Sequence, residues 1–306
     1  MVGIERALVL FLDGVGLGDD ESDANPLAQA ALPCLSNLLD RRRLVRANSG
    51  AEGSQASLVA LDAQLGVPGL PQSGTGQTTL LTGINAPALL GRHDGPYPNR
   101  LLHDLLANGN LFRQLLSSGH PVAFANAYTD RFLSRTQRGT QRLSANARAA
   151  LLAGLRLRGP VDLAMGRAVS ALLTNDYFRQ QGYDVPAVSP QQAGLHLAHL
   201  AGDHTLTYFE FWFTDVAGHR QDLALSLHIL MQLDQFIAGV LSALDTSRSL
   251  LLLVSDHGNF EDLRTSRHTL NPALALPIGA EHRAMAARLH DLTDVTPALL
   301  AALTGR

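Results

Sequence analysis

The stretch Ala7-Leu8-Val9-Leu10-Phe11-Leu12 runs directly into Asp13-Gly14-Val15-Gly16, and this junction decides how the chain is interpreted. Six consecutive apolar residues that end in a turn signal are typical of a strand buried on both faces of a sheet. Three further apolar runs have the same character, at Pro121–Asn126, Leu206–Phe213 and Leu250–Val254.

Helical patterns separate these runs, at Leu27–Asp40, Leu101–Ser118, Leu223–Leu244 and His282–Leu289. Alternating strands and helices predict an α/β fold with a mainly parallel sheet and helices on both faces. We expect one domain over residues 1–306. The stretch 134–202 has weak strand signals, and it could be a lid or insert over an active site or a set of ordinary peripheral helices.

The composition excludes several classes of function. The chain has 306 residues, 17% of them charged, with a net charge of −3, and all 24 basic residues are arginines. No strongly basic surface for nucleic acid is expected. The run Ala7–Leu12 is too short to span a membrane, and Leu223–Leu244 is amphipathic. Cys34 is the only cysteine, so no internal disulfide can form, and we expect a cytoplasmic protein that does not bind membranes.

Aspartates follow three of the predicted strands. Asp13 follows the first run, Asp215 follows Leu206–Phe213, and Asp256 follows Leu250–Val254. The second has a histidine close by in Asp215-Val216-Ala217-Gly218-His219, the third in Asp256-His257-Gly258-Asn259, and a further histidine lies in His268-Thr269-Leu270-Asn271-Pro272. In open α/β sheets, ligands bind just beyond the carboxyl ends of the strands, so these side chains are expected to converge.

Three carboxylates and three imidazoles form a donor set for divalent metals such as Zn, Mn, Fe or Mg. A single Asp-Gly after a strand is usually only a turn. Three unrelated strands that end alike are harder to explain by turn chemistry. We therefore predict two divalent metal ions, which together could stabilise the attacking and leaving oxygens of an in-line displacement.

A loop rich in small residues and hydroxyls, Ser73-Gly74-Thr75-Gly76-Gln77, precedes a helical pattern. Such a loop can bind an anion on its backbone N–H groups, and it can also present an alcohol as a nucleophile. Taken alone, it would be interpreted as a polar turn with a helix cap. Beside a metal cluster, the nucleophile becomes the better interpretation.

Together these motifs resemble the alkaline phosphatase-like metalloenzymes, in particular the branch with cofactor-independent phosphoglycerate mutase and phosphopentomutase. The resemblance rests on five elements in matching order that extend across nearly the whole chain. It implies one metal held by Asp215, His219 and His268, and another held by Asp13, Asp256, His257 and the nucleophile's oxygen. In that branch the register of the loop points to Ser73 as the nucleophile. Thr75 is the alternative, because threonine serves elsewhere in the superfamily.

The chain departs from that branch in three ways. Gln77 stands where histidine is usual, and the absence of lysine leaves arginines such as Arg92, Arg100, Arg131 or Arg264 to hold phosphate. The chain is also shorter than either mutase, with little room for a substrate-handling cap. A missing cap favours simple hydrolysis over phosphate return to a reoriented substrate.

The sequence thus predicts a two-metal phosphate-ester hydrolase that acts on a small phosphorylated substrate through a phosphoserine or phosphothreonine. A phosphomutase on a small sugar or acid, a phosphodiesterase, and a non-catalytic binder that keeps the fold are the alternatives. The sequence gives no indication of the oligomeric state.

Overall fold

The computed structural model describes residues 4–305, and its strands form one large and one small sheet. The strands are β1 Arg6–Leu12, β2 Val59–Leu61, β3 Val122–Phe124, β4 Asn126–Ala127, β5 Val169–Ser170, β6 Leu206–Phe211, β7 Ser249–Val254 and β8 Ala273–Ile278. The six-stranded sheet has the order β2-β8-β7-β1-β6-β3, and β4 pairs with β5 in the small sheet.

The middle of the large sheet is parallel. Strand β1 pairs in parallel with both β6 and β7, and β3 pairs in parallel with β6. Strand β8 is antiparallel to both of its neighbours, β7 and β2. Because β1, β6 and β7 run the same way side by side, the loops that follow their carboxyl ends meet at one edge of the sheet.

Helices connect the strands. They are α1 Pro26–Gln29, α2 Pro33–Leu38, α3 Ser73–Thr82, α4 Ala86–Leu90, α5 Arg100–Asn108, α6 Leu111–Ser117, α7 Asp130–Gln137, α8 Ala145–Leu152, α9 Pro160–Ala164, α10 Asp176–Gln180, α11 Pro190–Gly202, α12 Phe213–Arg220, α13 Leu223–Ala243, α14 His282–Ala286 and α15 Val295–Thr304. Short 3₁₀ turns cover Arg46–Asn48 and Leu292–Asp294.

Strand β1 shows how the sheet separates two apolar cores. Leu8, Leu10 and Leu12 belong to one core, with residues of α2, α11 and α13. The alternate residues Val9 and Phe11 belong to the other core, with residues of α3, α6 and α15. Successive strand side chains point to opposite faces, so a fully apolar strand requires helices on both faces, as the sequence predicted.

The predicted α/β class with a mainly parallel sheet is confirmed, but several boundaries were wrong. The predicted helix Leu27–Asp40 is two helices, because Pro33 cannot continue the first and instead begins the second. The predicted helix Leu101–Ser118 breaks before Asn110, whose side chain accepts a hydrogen bond from the Arg113 N–H at 3.1 Å and so caps α6.

Strand β8 was missed. Its sequence Ala-Leu-Ala-Leu-Pro-Ile contains Pro277, and a proline ordinarily argues against a strand inside a sheet. The predicted strand Leu206–Phe213 is also too long, since it ends at Phe211 and the chain turns into α12 at Phe213.

Helix α13 is long and apolar enough to cross a membrane by length and composition, and half of its most apolar window is buried inside the protein. It packs along α11, where the two helices approach each other closely. Its apolar character is therefore explained by its place in the core.

The stretch 134–202 combines peripheral and central elements. Its last helix, α11, packs on α13 and contacts β1, while α8 packs against α3 and α5. Between them, residues 153–189 form short helices around the small sheet and a minor apolar cluster that includes Leu163 and Phe178. That the stretch 134–202 acts as a lid stays a prediction.

Candidate metal centre

The first group of candidate ligands forms where two neighbouring parallel strands end. Asp13 follows β1 directly, and Asp256 and His257 follow β7 after one serine. Asp13 Oδ1 and Asp256 Oδ2 each lie 3.5 Å from His257 Nε2. All three residues are buried, and together they could hold one metal ion.

The second group combines a helix with the loop before β8. Asp215 and His219 are one helical turn apart on α12, so both project from the same face, and His219 Nε2 lies 3.3 Å from Asp215 Oδ2. His268 Nε2 lies 3.6 Å from Asp215 Oδ1. The sequence placed Asp215 at a strand end, whereas the structure places it in the first turn of a helix.

The two groups are adjacent. The rings of His257 and His268, one from each group, stack with centroids 3.8 Å apart. The backbone of Gly14 also lies close to Asp215, since an added Cβ at Gly14 would lie 2.7 Å from Asp215 Oδ1. Gly14 has a φ of +70°. A glycine is therefore required there on both grounds, and it brings the loop after β1 against α12.

The orientation of each histidine is fixed from behind. The Nδ1 atom of each ring contacts a backbone carbonyl oxygen: His219 with Ser266 at 2.7 Å, His268 with Pro71 at 2.7 Å, and His257 with Gly258 at 3.3 Å. A carbonyl accepts a hydrogen bond, so the proton of a neutral ring lies on Nδ1 and the Nε2 lone pair faces the carboxylates. This is how metal-binding histidines are commonly held.

The two buried carboxylates of the first group, Asp13 and Asp256, lie close enough to repel each other when both are ionised. Burial, followed by repulsion from Asp256 and Asp215, raises the pKa of Asp13 well above its usual value. Burial and the nearby Asp215 likewise raise the pKa of Asp256. Burial lowers the pKa of His257 to about 3, with a further contribution from His268, so this ring is neutral at pH 7.

In the second group, the carboxylate and one histidine hold a proton between them. Burial favours the protonated form of Asp215, but hydrogen bonds from His219 and Asn259 and the attraction of the nearby histidines together outweigh it, and the pKa of Asp215 is about 2. The same hydrogen bond raises the pKa of His219 to about 9. Burial lowers the pKa of His268. A metal ion would have to displace the proton on His219.

These residues fit divalent cations. Buried Asp13 Oδ1 and Asp256 Oδ2 have no hydrogen-bond partner, an arrangement that costs free energy unless a cation compensates. Both oxygens lie 3.5 Å from His257 Nε2, which carries no proton to donate to them when the ring is protonated on Nδ1. Carboxylate oxygens around neutral imidazoles, with nitrogens fixed from behind, form a donor set suited to Zn, Mn or Mg.

Ser73 lies at the first position of α3, where its Oγ is 3.0 Å from His257 Nε2 and faces the same cavity as Asp13. Thr75 is turned away from the cluster. It is fully buried, and its hydroxyl lies 3.0 Å from the Gln72 carbonyl oxygen and accepts from the Asp94 N–H. The structure therefore brings Ser73, and not the alternative Thr75, to the candidate ligands.

Gln77, which stands where the resembled branch usually has histidine, connects the site to α8. Its Nε2 donates to Asp13 Oδ2 at 3.4 Å, and its Oε1 accepts from the Ala145 N–H at 3.2 Å. An amide can do both at once, as a donor to the carboxylate and an acceptor for a helix N-terminus.

Sequence reasoning missed Glu261, which binds the ligand loops together. This buried carboxylate accepts from the backbone N–H groups of Gly16 at 2.9 Å and Asn259 at 2.8 Å. It also accepts from the side chains of Thr269 and Asn271. Glu261 thus joins the loops that carry Asp13, Asp256 and His268, and the Glu-Asp in Asn259-Phe260-Glu261-Asp262 gave no local signal of it.

The arginines proposed from the sequence lie elsewhere. Arg92 and Arg264 are exposed in salt bridges with nearby acids, and neither they nor Arg100 and Arg131 line the cavity beside Ser73. Arg142 is the arginine that lines it. It lies in an unpatterned stretch between α7 and α8, where the sequence offered no motif.

Glu210, the fifth residue of β6, adds a further buried carboxylate to the cavity wall. Ser144 and Asn146, at the start of α8, donate to it at 3.0 and 3.1 Å. Burial raises the pKa of Glu210 despite these hydrogen bonds. The sequence around Glu210 resembles an ordinary apolar strand, so it did not indicate a functional residue.

Residues 186–304, which include Asp215, His219, Asp256, His257 and His268, match the sequence profile of the metalloenzyme superfamily. The carboxyl-terminal part of the chain is therefore similar to the metalloenzyme superfamily. The 2,3-bisphosphoglycerate-independent phosphoglycerate mutase of Moorella thermoacetica is 32% identical over 121 residues, which are 38% of this chain and 24% of that protein. The chain thus covers about a quarter of the length of this relative.

Solved structures of an alkaline phosphatase and a phosphoglycerate mutase share the fold of this chain over nearly its whole length. Alkaline phosphatase from Thermus thermophilus superimposes with a TM-score of 0.61 at 13% identity, covering 99% of this chain and 92% of that one. Phosphoglycerate mutase from Leishmania mexicana gives 0.58 at 10% identity, covering 99% and 96%. The resemblance seen in the sequence, the fold class and the assignment to metal-dependent enzymes are confirmed, and the superfamily implies divalent metal binding.

Proposed function

We propose that this metalloenzyme is a phosphate-ester hydrolase that uses two divalent metal ions and a phosphoserine at Ser73. The observation that carries the proposal is the position of Ser73 Oγ, 3.0 Å from His257 Nε2 at the wall of a cavity that also exposes Asp13 and Asp215. A nucleophile, two ligand groups and space for a substrate thus coincide.

Each ligand group would hold one ion: Asp13, Asp256 and His257 the first, and Asp215, His219 and His268 the second. Such ions, when bound, neutralise phosphoryl charge and favour the alkoxide form of a nearby alcohol. The number two is part of the proposal, as is the choice among Mn, Zn and Mg.

The chain itself supplies the nucleophile and its surroundings. Ser73 Oγ would attack phosphorus in line, the ester P–O bond would break, and the alcohol would leave with a proton. Water would then attack the phosphoserine, so that the Ser73 Oγ–P bond breaks and phosphate and the serine hydroxyl are released. The N–H groups of Ser73 and Gly74 begin α3 without intrahelical acceptors or a side-chain cap from Gln72, so they can bind phosphoryl oxygens, whereas the Thr75 N–H donates to the Asp94 carbonyl oxygen.

Two variants test this assignment. Ser73→Ala should lower turnover of p-nitrophenyl phosphate by roughly 10³-fold or more, whereas Thr75→Val, which removes the hydroxyl at similar shape, should lower it far less, because that hydroxyl only supports the loop. Metal content would be measured on the same preparations, with turnover before and after metal removal. Near-normal turnover of Ser73→Ala, or turnover that survives complete metal removal, would contradict the proposal.

A phosphomutase is the second candidate, favoured by the 32% identity to a phosphoglycerate mutase over 121 residues. The two differ in the product, since a hydrolase releases free phosphate and a mutase returns it to the substrate. Phosphate release measured alongside isomer formation distinguishes them. For either function we propose a small phosphorylated substrate and a cytoplasmic setting, without nucleic acid or membrane as partner, as the composition supports.

A further inference from the structure

The cavity beside Ser73 is large enough for a substantial organic group. It has a volume of about 580 Å³ and extends from Asp13, Ser73 and Asp215 outward to the segment that carries α7 and α10. Pockets for small organic ligands commonly fall in the range of roughly 300–1,000 Å³. A phosphate alone would occupy only a small part of it.

Aromatic rings dominate the wall away from the ligand groups. They come from four separate segments of the chain, which converge on one space: Tyr97, the pair Tyr128 and Phe132, the pair Tyr177 and Phe178, and the pair Trp212 and Phe213. Within the pairs, the rings of Tyr128 and Phe132 and those of Trp212 and Phe213 stack with centroids 4.3 Å apart.

Several of these rings are unusually open to solvent. Trp212 is 40% exposed, Tyr97 43% and Tyr177 45%. Among residues 4–305, these are the aromatic side chains that stand out as exposed, and all three line this one cavity. Exposed apolar surface gathered at one place marks a binding site more often than chance exposure does.

Beyond the proposed metal ligands, the cavity offers little positive charge to a substrate with a second anionic group. Arg142 is the one cation among the lining residues, and its guanidinium lies 5.8 Å from the centroid of the Tyr97 ring. Outside the proposed metal ligands, Glu210 is the carboxylate among the lining residues. A phosphorylated acid or sugar acid would bring a second anion that only Arg142 could meet, whereas a flat apolar group would meet rings on several sides.

We infer that the substrate is a phosphate monoester of an alcohol that carries an aromatic ring, with the phosphate at Ser73 and the ring among Trp212, Tyr177 and Tyr97. This substrate class rests on the proposed hydrolase function. It names the leaving group of the same reaction, which the motif resemblance leaves open.

A kinetic comparison with matched leaving groups tests the inference. 2-Phenylethyl phosphate and ethyl phosphate both release primary alkoxides of similar basicity, so they differ mainly in the ring and not in intrinsic reactivity. We expect kcat/KM to be about tenfold or more higher for the phenylethyl ester, chiefly through KM. Equal kcat/KM for the two esters would overturn the aromatic substrate class while leaving the hydrolase proposal intact.

Binding can be followed without turnover, because Trp212 is the only tryptophan in the chain. Its fluorescence should change on addition of 2-phenylethylphosphonate, whose C–P bond is not hydrolysed. Ethylphosphonate should require roughly tenfold higher concentration for the same change. If neither ester is turned over, the hydrolase proposal fails, and the phosphonate preference alone decides whether the aromatic site stands.

Substitutions at Tyr177 test whether this residue contacts the aromatic ring of the substrate. Tyr177→Ala should lower kcat/KM for the phenylethyl ester roughly threefold to tenfold with little effect on the ethyl ester, and Tyr177→Phe should restore it. Met231→Ala, which truncates an exposed apolar side chain on α13 outside the cavity, is the control and should change neither. An equal loss on both esters in Tyr177→Ala would assign the residue a structural role and contradict the inference.

Discussion

Glu261 shows how a single buried carboxylate can organise a site that it does not enter. Its Oε2 accepts hydrogen bonds from two backbone N–H groups, and its Oε1 accepts from the side chains of Thr269 and Asn271. Each carboxylate oxygen thus has two donors. Glycines make this possible, since a Cβ added at Gly16 or Gly258 would lie within 2.6 Å of the Glu261 carboxylate. The loops that carry the candidate metal-binding side chains are therefore held in place by a residue that belongs to neither metal group.

Glu261→Gln should weaken metal binding by roughly tenfold to a hundredfold, because the new NH₂ group faces N–H donors and the loops must shift. Isothermal titration of the metal-free protein with one metal at a time would measure the change. Glu21→Gln, which alters an exposed glutamate paired with Arg264, is the matched control and should bind normally. Unchanged affinity in Glu261→Gln would show that the ligand loops hold their positions without it.

At this scale the sequence could predict only what local pattern encodes. Asp13 and Asp256 were found because each directly follows an apolar run that ends at a sheet edge. Arg142 and Glu261 were not, since their roles depend on which loops the fold brings beside them. The choice between Ser73 and Thr75 needed the helix itself, because two residues along α3 a side chain points elsewhere.

Helices α11 and α13 cross at two glycines, and this contact supports the face of the sheet behind the site. A Cβ added at Gly194 would lie 2.1 Å from the Phe236 carbonyl oxygen, and one at Gly239 would lie 2.1 Å from that of Gln191. The obstacle in both cases is backbone, which cannot turn aside as a flexible side chain can. The helices are therefore held at a distance that only glycine permits.

Gly194→Ala should destabilise the protein by about 1–3 kcal/mol or more, because the helices must separate in a packed core. Gly202→Ala in the same helix is the matched control: an added Cβ meets no atom within 4 Å, so it should be neutral or stabilise by about 0.5–1 kcal/mol. Urea unfolding of both variants gives the comparison. A Gly194→Ala protein as stable as Gly202→Ala would contradict the close approach of the backbones.

The elements themselves were predicted where periodicity is strong and missed where it is interrupted. The 21 residues of α13 stand out, and the structure ends the helix within one residue of the prediction. Strand β8 was not predicted because it contains Pro277. The strand nevertheless lies inside the sheet, between β7 and β2, and includes this proline. Helix breaks at Pro33 and Asn110 were overlooked because the apolar pattern continues through them.

At the scale of the whole molecule, the fold buries several carboxylates close together. Their negative charges cost free energy unless a cation is bound beside them. Burial and neighbouring carboxylates raise the pKa values of Asp13 and Asp256, while Asp215 raises the pKa of His219 to about 9. A folded state that binds these protons more tightly than the unfolded chain loses stability as pH rises. For His219, the contribution is complete below its unfolded pKa of about 6.5 and is lost through about 9.

A bound metal removes this loss by replacing the protons, so its stabilising effect should grow with pH. The melting temperature of metal-loaded protein minus that of metal-stripped protein should therefore increase from pH 6.5 to pH 9 at a fixed free metal concentration. His257 and Asp215 contribute little to this change, since their pKa values of about 3 and 2 lie below that window.

His219→Gln tests the contribution of this residue, because it removes a group whose pKa of about 9 lies at the upper end of the window and leaves the other ligand group in place. Its pH dependence should be flatter, and metal addition in weak buffer near pH 8 should release about one proton fewer than in the parent protein. A stabilisation by metal that is the same at pH 6.5 and pH 9 in the parent protein would mean that no proton holds the place of the metal at His219. In that case His219 of the metal-free protein would already be neutral at pH 6.5.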